Sequence, residues 1–213
     1  ALHEGHIAVA ARSQRQNDHT IVSIFVNPTQ FNNSEDLAKY PRKDEKDLAM
    51  LKEAGIDAVF LPSVEEMYGV EVISESIDLN GLDMGMEGDY RPGHFQGVAT
   101  VVKRLLLMIK PTKAYFGDKD YQQLRIIQHV AEVFQLEAEI IGVETHRYPS
   151  GLAMSSRNFR LSEQGLNKSV IIYEMMQWAK ASHLDYSPKD LKETIIERFS
   201  KSDLELEYID FAD

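Results

Sequence analysis

The stretch 113–143, KAYFGDKDYQQLRIIQHVAEVFQLEAEIIGV, decides the fold class. Residues 113–116 and 138–143 are short apolar runs that each predict a buried strand. Between them, residues 121–134 carry apolar side chains at helical spacing. A strand, a helix and a second strand in this order predict a parallel βαβ unit, because parallel neighbours need a crossover connection.

The same alternation of strands and helices precedes this unit. The predicted strands are 20–26, 57–61 and 70–74, and the predicted helices are 3–15, 44–54 and 94–109. These lengths predict an α/β fold with a doubly wound, Rossmann-like parallel sheet, whose ligand loops lie at the carboxyl ends of the strands. We therefore expect residues 1–145 to form a nucleotide- and substrate-binding domain.

From about His146 the sequence pattern changes. A polar loop is followed by a helix at 162–182, a helix that begins near Ser187, and a strand at 204–211. Ser187 with Asp190 three residues later fits an acidic variant of the capping box, which supports the second helix start. We expect residues 146–213 to form a smaller α+β lid domain.

Charge and composition exclude several classes of protein. The 23 Lys and Arg residues are outnumbered by 34 Asp and Glu residues, so the formal net charge is −11. Such a surface repels nucleic acid and anionic lipid. The lack of cysteine excludes disulfides, Cys-based zinc sites and thiol nucleophiles. No apolar run approaches the roughly 20 residues that cross a bilayer, so we expect a cytoplasmic protein that binds neither nucleic acid nor membrane.

The first chemical motif is His3-Glu4-Gly5-His6, at the start of the first predicted helix. Residues three apart share a helix face, so both imidazoles can point at one ligand. The helix N-terminus and Gly5 suit a phosphate, and imidazoles that take up a proton would stabilise negative charge on it. The alternatives are two ordinary surface or core histidines, or a metal pair whose third ligand is not visible nearby in the sequence.

Two further polar motifs follow predicted strands. Asn27 and Gln30, in NPTQF, offer uncharged donors and acceptors that suit a substrate with hydroxyl, amide and carboxylate groups. In GDKDYQQ, Lys119 can reach phosphate oxygens and Asp120 can accept from ribose hydroxyls. The alternatives are a plain turn for the first motif and an acidic helix start with a solvated lysine for the second.

A fourth motif, MSSRN at 154–158, lies just past the domain change. Two hydroxyls and a guanidinium on a loop could form an anion clamp that closes over phosphates. The alternative is a polar loop with an ordinary surface arginine. His94 lies at another predicted helix start, where a lone histidine is more often structural.

In this order, the segments ALHEGH, SIFVNPTQF, DLAKYPR, RPGHFQGVATVV, GDKDYQQL and GLAMSSRN resemble the pantoate–β-alanine ligases, a family of the nucleotidyltransferase superfamily with a His-x-Gly-His signature. The resemblance runs from Ala1 to about Leu161 and continues weakly to the end of the chain. It implies that ATP and pantoate form an enzyme-bound pantoyl-adenylate and pyrophosphate. The amine of β-alanine then displaces AMP to give pantothenate, which leads to coenzyme A. Mg²⁺ would accompany the ATP, and the family is usually dimeric.

The resemblance also implies residue roles. His6 would be the catalytic residue, with His3 and Lys119 on the phosphates. The implied ATP-binding residues are Ala1, Leu2, His3, Glu4, Gly5, His6, Gly117, Asp118, Lys119, Asp120, His146, Met154, Ser155, Ser156 and Arg157. The implied pantoate-binding residues are Gln30, Gln123, Asn27 and His94, of which Gln30 would also lie close to β-alanine. The metal ligands stay unassigned, with Asp47 as one possibility.

The sequence departs from the family pattern in a few places. Asp118 stands where the family usually has Glu. We expect the family's first strand and its Pro-Thr-Met-Gly turn to precede Ala1, and the second domain to continue beyond Asp213.

Two other functions stay open at this point. A related adenylyltransferase with another acceptor would not need the pair Gln30 and Gln123. A non-catalytic nucleotide-binding module would have little need of groups that stabilise transition-state charge.

Overall fold

A computed structural model describes residues 2–31, 37 and 43–212. Ala1 and most of the DLAKYPR segment lie outside the described residues. The chain divides into two compact units, Ala1–Thr145 and His146–Asp213, each with its own core. None of the helices in the described ranges is long and apolar enough to cross a membrane.

In the first unit, strands and helices alternate. Their order is α1 (Glu4–Gln14), β1 (Ile21–Ser23), α2 (Asp44–Glu53), β2 (Ala58–Phe60), α3 (Val64–Tyr68), α4 (Glu87–Tyr90), α5 (His94–Ile109), β3 (Lys113–Gly117), α6 (Tyr121–Val133) and β4 (Glu139–Val143). Strand β1 pairs in parallel with β2, and β3 pairs in parallel with β4. The predicted α/β class with parallel strands is confirmed.

The core of this unit lies around helices α5 and α6. Apolar residues of α5 recur three and four apart, and Phe95, Val98 and Ala99 are buried. Ile126, Ile127 and Val130 of α6 are fully buried as well. Burial of each such side chain stabilises the fold by about 1.5–3 kcal/mol. These two helices therefore form a rigid base for the loops that leave β1 and β3.

Helix α2 is followed by a glycine in the left-handed conformation, Gly55. Gly55 has φ +71°, and the amide of Ile56 donates to the carbonyl of Leu51 over 3.1 Å. This left-handed ending satisfies carbonyls that the helix leaves without partners. The side-chain amide of Gln14 donates to the carbonyls of Ala54 and Gly55, which fastens the end of α1 to the end of α2.

The strand predicted at 70–74 is wrong. Val70 is completely exposed, and no strand is present at these residues. The chain that follows bonds to α5 instead, because the amide of Glu75 donates to Thr100 Oγ1 and the amide of Ile77 donates to Gln96 Oε1. In a strand, these backbone amides would donate to a neighbouring strand. Here they donate to side chains of helix α5 instead.

The second unit contains helices α7 (Glu163–Lys168), α8 (Val170–Ser182) and α9 (Pro188–Ser200). The single helix predicted at 162–182 is interrupted at Ser169, whose hydroxyl donates to the carbonyl of Gly165 over 2.8 Å. A serine that bonds back to its own helix weakens the regular pattern at that turn.

The strand predicted at 204–211 is also wrong. Leu204, Leu206 and Ile209 pack against the core of α8 and α9, but the segment pairs with no strand in the described residues. The alternation of apolar and polar residues therefore reports an extended segment with one face on a core. Among the described residues, the β structure of this unit is the isolated bridge between Arg147 and Ala153.

Candidate active site

Two histidines begin helix α1 and cap it reciprocally. His3 Nδ1 accepts a hydrogen bond from the amide of Gly5 over 3.1 Å, and His6 Nδ1 accepts from the amide of His3 over 3.2 Å. The two ring centroids lie 3.9 Å apart. This is a capping box built from imidazoles. Because each Nδ1 accepts, the proton of each neutral ring lies on Nε2.

The surroundings of His6 keep its ring neutral. Burial, followed by the proximity of His3 and the positive charge of Lys119, lowers the pKa of His6 to about 4. The solvent-accessible surface of His6 is that of an exposed residue, although many protein atoms lie around its ring. At neutral pH His6 is therefore neutral and can donate a hydrogen bond through Nε2.

Lys119 lies on the turn that leaves β3. Its Nζ is 2.8 Å from Asp120 Oδ1, and the lysine side chain is 38% exposed. Because its charge acts on His6, the carboxyl end of β3 lies beside the start of α1. Asp118 lies against β4, since a Cβ on Gly142 would be 2.3 Å from Asp118 Oδ1.

The turn after β1 brings together three of the predicted pantoate residues. Asn27 is buried and begins the 3₁₀ turn Pro28–Gln30. Asn27 Nδ2 donates to Gln30 Oε1 over 3.2 Å. His94 Nδ1 lies 3.0 Å from the backbone oxygen of Gln30, and it donates there because a carbonyl can only accept.

Helix α5 meets this turn without an intervening side chain. A Cβ on Gly97 would lie 2.4 Å from the backbone oxygen of Thr29. A side chain of any size at residue 97 would therefore displace the backbone that carries Gln30.

The fourth predicted pantoate residue, Gln123, is half-buried in the first turn of α6 and makes no side-chain hydrogen bond within the described residues. Its neighbour Gln122, which sequence reasoning missed, is buried and donates through Nε2 to the carbonyls of Leu82 and Gly85. In the described part of the chain, Gln122 Oε1 has no hydrogen-bond partner. The spacing of residues 122, 126 and 130 on the buried face was the available signal.

Asp47 is the carboxylate that could hold a metal ion. It is buried on α2, and its Oδ1 accepts from the amide of Leu2 over 2.8 Å. Its negative charge also acts on His6. Over residues 2–31 and 43–212, no group of three or more His, Asp or Glu side chains is placed to hold a metal. A single carboxylate fits Mg²⁺ that is bound mainly through substrate phosphates.

In the second unit, the predicted ATP-binding residues lie on a hairpin and the turn after it. The amide of Met154 donates to the backbone oxygen of His146 over 3.0 Å. Ser155 caps the 3₁₀ helix Ser156–Arg160, and its Oγ accepts from the amide of Arg157. The side chain of Arg157 lies in the exposed part of this turn.

Gly151 fixes this hairpin onto helix α8. It has φ +89°, and a Cβ there would lie 2.0 Å from the ring of Tyr173. The guanidinium of Arg147 stacks on the same ring at 4.8 Å and donates to the backbone oxygen of Gly151. The hairpin therefore has a defined place on its own unit.

A family model described as pantoate-beta-alanine ligase matches residues 1–213. The chain belongs to this family. The resemblance that the motifs indicated is confirmed. The pantoate–β-alanine ligase family thus accounts for the whole length of the chain, including the second unit.

Curated relatives agree with the family. The pantothenate synthetase of Christiangramia forsetii is 46% identical over 215 residues, which cover 100% of this chain and 76% of that protein. That of Flavobacterium psychrophilum is 43% identical with the same coverage.

Solved structures of the family share the fold. Pantothenate synthetase from Thermus thermophilus has a TM-score of 0.86 at 41% identity, over 93% of this chain and 72% of that one. The pantoate–β-alanine ligase of Francisella tularensis, solved in complex with β-γ ATP and β-alanine, has a TM-score of 0.77 at 37% identity. That match covers 92% of this chain and 74% of the other.

Proposed function

We propose that this chain uses ATP to join pantoate to β-alanine through a pantoyl-adenylate, with the residues described above as its site. The observation that supports this activity most strongly is the match of the family model to residues 1–213. Its family makes this chain a pantoate–β-alanine ligase. The roles of the residues are supported by the family resemblance and by the geometry of the motifs.

In the first step, a carboxylate oxygen of pantoate attacks the α-phosphorus of ATP. A new O–P bond forms, and the bond to pyrophosphate breaks with its electron pair leaving on pyrophosphate. His6 donates from Nε2 to the phosphate oxygens, beside His3 at the start of α1. Lys119 adds a full positive charge on the same side. Donors fixed in place before the reaction stabilise the developing charge without reorganisation, so no protein nucleophile is needed.

In the second step, the amine of β-alanine attacks the acyl carbon of the adenylate. The C–N bond forms, the C–O bond to AMP breaks with its electron pair leaving on AMP, and the amine loses a proton to solvent. Gln30 and Gln123 hold the pantoyl group, with Asn27 and His94 behind Gln30. Gln30 also lies close to β-alanine. Catalysis here consists mainly of positioning two reactants in one site.

The remaining ligands of ATP are assigned on both units. Asp120 breaks its ion pair with Lys119 and accepts hydrogen bonds from the ribose hydroxyls. The other residues that contact the nucleotide are Leu2, Glu4, Gly5, Gly117 and Asp118. On the second unit Ser155, Ser156 and Arg157 bind phosphates, and His146 and Met154 contact the adenine side. Asp47 would supply a carboxylate for Mg²⁺, which would neutralise phosphate charge when bound. We also propose a homodimer, which light scattering of the purified protein would test.

The test is pyrophosphate release from ATP, Mg²⁺ and pantoate, with and without β-alanine, together with mass detection of products. We expect pyrophosphate only when pantoate is present, and AMP with pantothenate only when both acids are present. Turnover with a different acceptor would favour the related adenylyltransferase. Binding of ATP without turnover of any acid would favour the non-catalytic module.

A residue-level test follows from the role of His6. The substitution His6→Ala removes the Nε2 donor, so we expect kcat to fall by about 10²-fold or more while ATP affinity changes little. Measurement of kcat beside the Kd of ATP separates the two effects. An unchanged kcat would show that His6 does not have this role.

A further inference from the structure

We propose that Tyr68 is a positioning residue for the acid substrate, which acts through Asn27 to orient the side-chain amide of Gln30. The inference rests on the proposed role of Gln30 in binding pantoate. Tyr68 is the last residue of α3, in a part of the sequence that carries none of the chemical motifs.

The contact between Asn27 and Gly97 identifies which atom of the Asn27 amide is the nitrogen. The carbonyl oxygen of Gly97 lies 3.1 Å from Asn27 Nδ2, and a carbonyl can only accept, so this atom of Asn27 is the nitrogen. The second hydrogen on that nitrogen goes to Gln30 Oε1, 3.2 Å away. Gln30 therefore turns its oxygen towards Asn27 and has its NH₂ group left to offer. Such a head group recognises oxygen acceptors, as the carboxylate and hydroxyls of pantoate are.

The oxygen of the Asn27 amide, Oδ1, can only accept hydrogen bonds. Tyr68 donates its hydroxyl to Asn27 Oδ1 over 2.5 Å, and Thr29 Oγ1 lies 3.1 Å from the same atom. The amide of Thr29 also donates to this oxygen, over 3.4 Å. Both Tyr68 and Asn27 are buried, so if the Tyr68 hydroxyl were lost, no water would replace it as a donor to Asn27. Burial also raises the pKa of Tyr68, which keeps its hydroxyl protonated as the donor requires.

Tyr68 itself is held by the core helix α5. The guanidinium of Arg104 lies 4.8 Å from the Tyr68 ring centroid and donates to the backbone oxygen of Met67 over 2.7 Å. Arg104 is in turn paired with Glu75. The relay therefore runs from a fixed tyrosine through a buried asparagine to the residue that meets substrate.

The test is the substitution Tyr68→Phe, which keeps the ring and removes the hydroxyl. We expect the KM for pantoate to rise about threefold to tenfold, the usual worth of one buried hydrogen bond, while the KM for ATP stays unchanged. The matched control is Tyr115→Phe, which loses hydroxyl bonds to Gln16 and Asn17 after the far end of α1. The control should leave the KM for pantoate unchanged.

A double substitution separates positioning from plain stability. In a Gln30→Ala background, Tyr68→Phe should raise the KM for pantoate no further, because its route to substrate is gone. An additive increase, or equal losses for pantoate and ATP, would overturn the inference. If Tyr68→Phe does not fold, Thr29→Val removes the other hydroxyl on Asn27 and should give a smaller shift of the same kind. A folded Thr29→Val with an unchanged KM would then overturn the proposal.

The proposed function and the role of Tyr68 can be overturned separately. Absence of pantoate-dependent pyrophosphate release in the unsubstituted protein would overturn the proposed function, and this inference with it. Normal release by the unsubstituted protein with an unchanged KM in Tyr68→Phe would overturn only the role of Tyr68.

Discussion

At the scale of single residues, chemistry depends on which atom of a side chain carries the proton. His6 Nδ1 accepts from the amide of His3, so its Nε2–H is the group offered to a ligand. The sequence places two histidines on one helix face, which the structure bears out. It does not reveal that burial, the neighbouring His3 and the charge of Lys119 lower the pKa of His6.

The neutral state of His6 predicts an unusual titration. The pKa of His6 is lowered from 6.5 to about 4, so the unfolded chain takes up this proton before the folded one does. Its contribution to stability is therefore present at neutral pH and declines as the pH falls from 6.5 towards 4. NMR titration of the histidine Cε1 protons, with His6→Gln to assign the signal, should give a midpoint near 4. A midpoint near 6.5 would contradict the neutral donor.

Substitutions of the adjacent residues Gln122 and Gln123 should affect different properties, the first stability and the second substrate binding. Gln122→Ala removes the side-chain donor to the carbonyls of Leu82 and Gly85, of which Gly85 keeps the amide of Gly88 as a donor. We expect a loss of about 1–3 kcal/mol in the free energy of unfolding. Gln123→Ala is the matched control, because the side chain of Gln123 makes no hydrogen bond within the described chain. It should raise the KM for pantoate with little change in stability. Urea unfolding and KM measurements on both variants check this, and a reversed pattern would contradict it.

At the scale of elements, sequence periodicity located helices better than strands. Helix α5 begins and ends at the predicted residues 94 and 109, because sixteen residues of helical spacing end at a left-handed Lys110 before Pro111. The segments 70–74 and 204–211 show strand-like alternation but pair with no strand among the described residues. Alternation reports an extended chain, whereas pairing needs a neighbour that local sequence does not specify.

The contact between α5 and the turn Pro28–Gln30 gives a prediction for Gly97. Within a helix, Gly→Ala normally stabilises by about 0.5–1 kcal/mol. At Gly97 the new Cβ would lie 2.4 Å from the Thr29 oxygen, so we expect a net loss of about 1–3 kcal/mol and a higher KM for pantoate. Gly165→Ala is the control, since its nearest neighbour would be at 3.4 Å. Thermal melts that rank Gly97→Ala as the more stable variant would contradict this.

At the scale of the whole molecule, each unit has a core of its own. Ala179, Ile195 and Phe199 form the buried centre of the second unit, and the cores of the first unit lie around α5 and α6. The predicted residues of the nucleotide site are divided between the units. The histidine motif and the MSSRN motif are therefore held in place by different hydrophobic cores.

The separate cores predict that the units lose stability separately. Ile195 is fully buried, so Ile195→Ala should destabilise the second unit by about 2–5 kcal/mol. The chain has one tryptophan, Trp178, which packs in that core under Arg198. Its fluorescence should therefore report an earlier urea transition, while the main far-UV circular dichroism transition moves little. Equal shifts of both signals would show that the chain unfolds as one unit.

The sequence by itself determined the fold class, the family and the identity of the polar motifs. Those properties depend on local spacing and on the order of motifs along one chain, which can be read without knowing contacts. Only the tertiary structure decided the proton position on His6, the burial of Gln122 and the relay from Tyr68 to Gln30. Asn27 meets Tyr68 and Gly97 across separations of 41 and 70 residues, and local sequence carries no information about such distant partners.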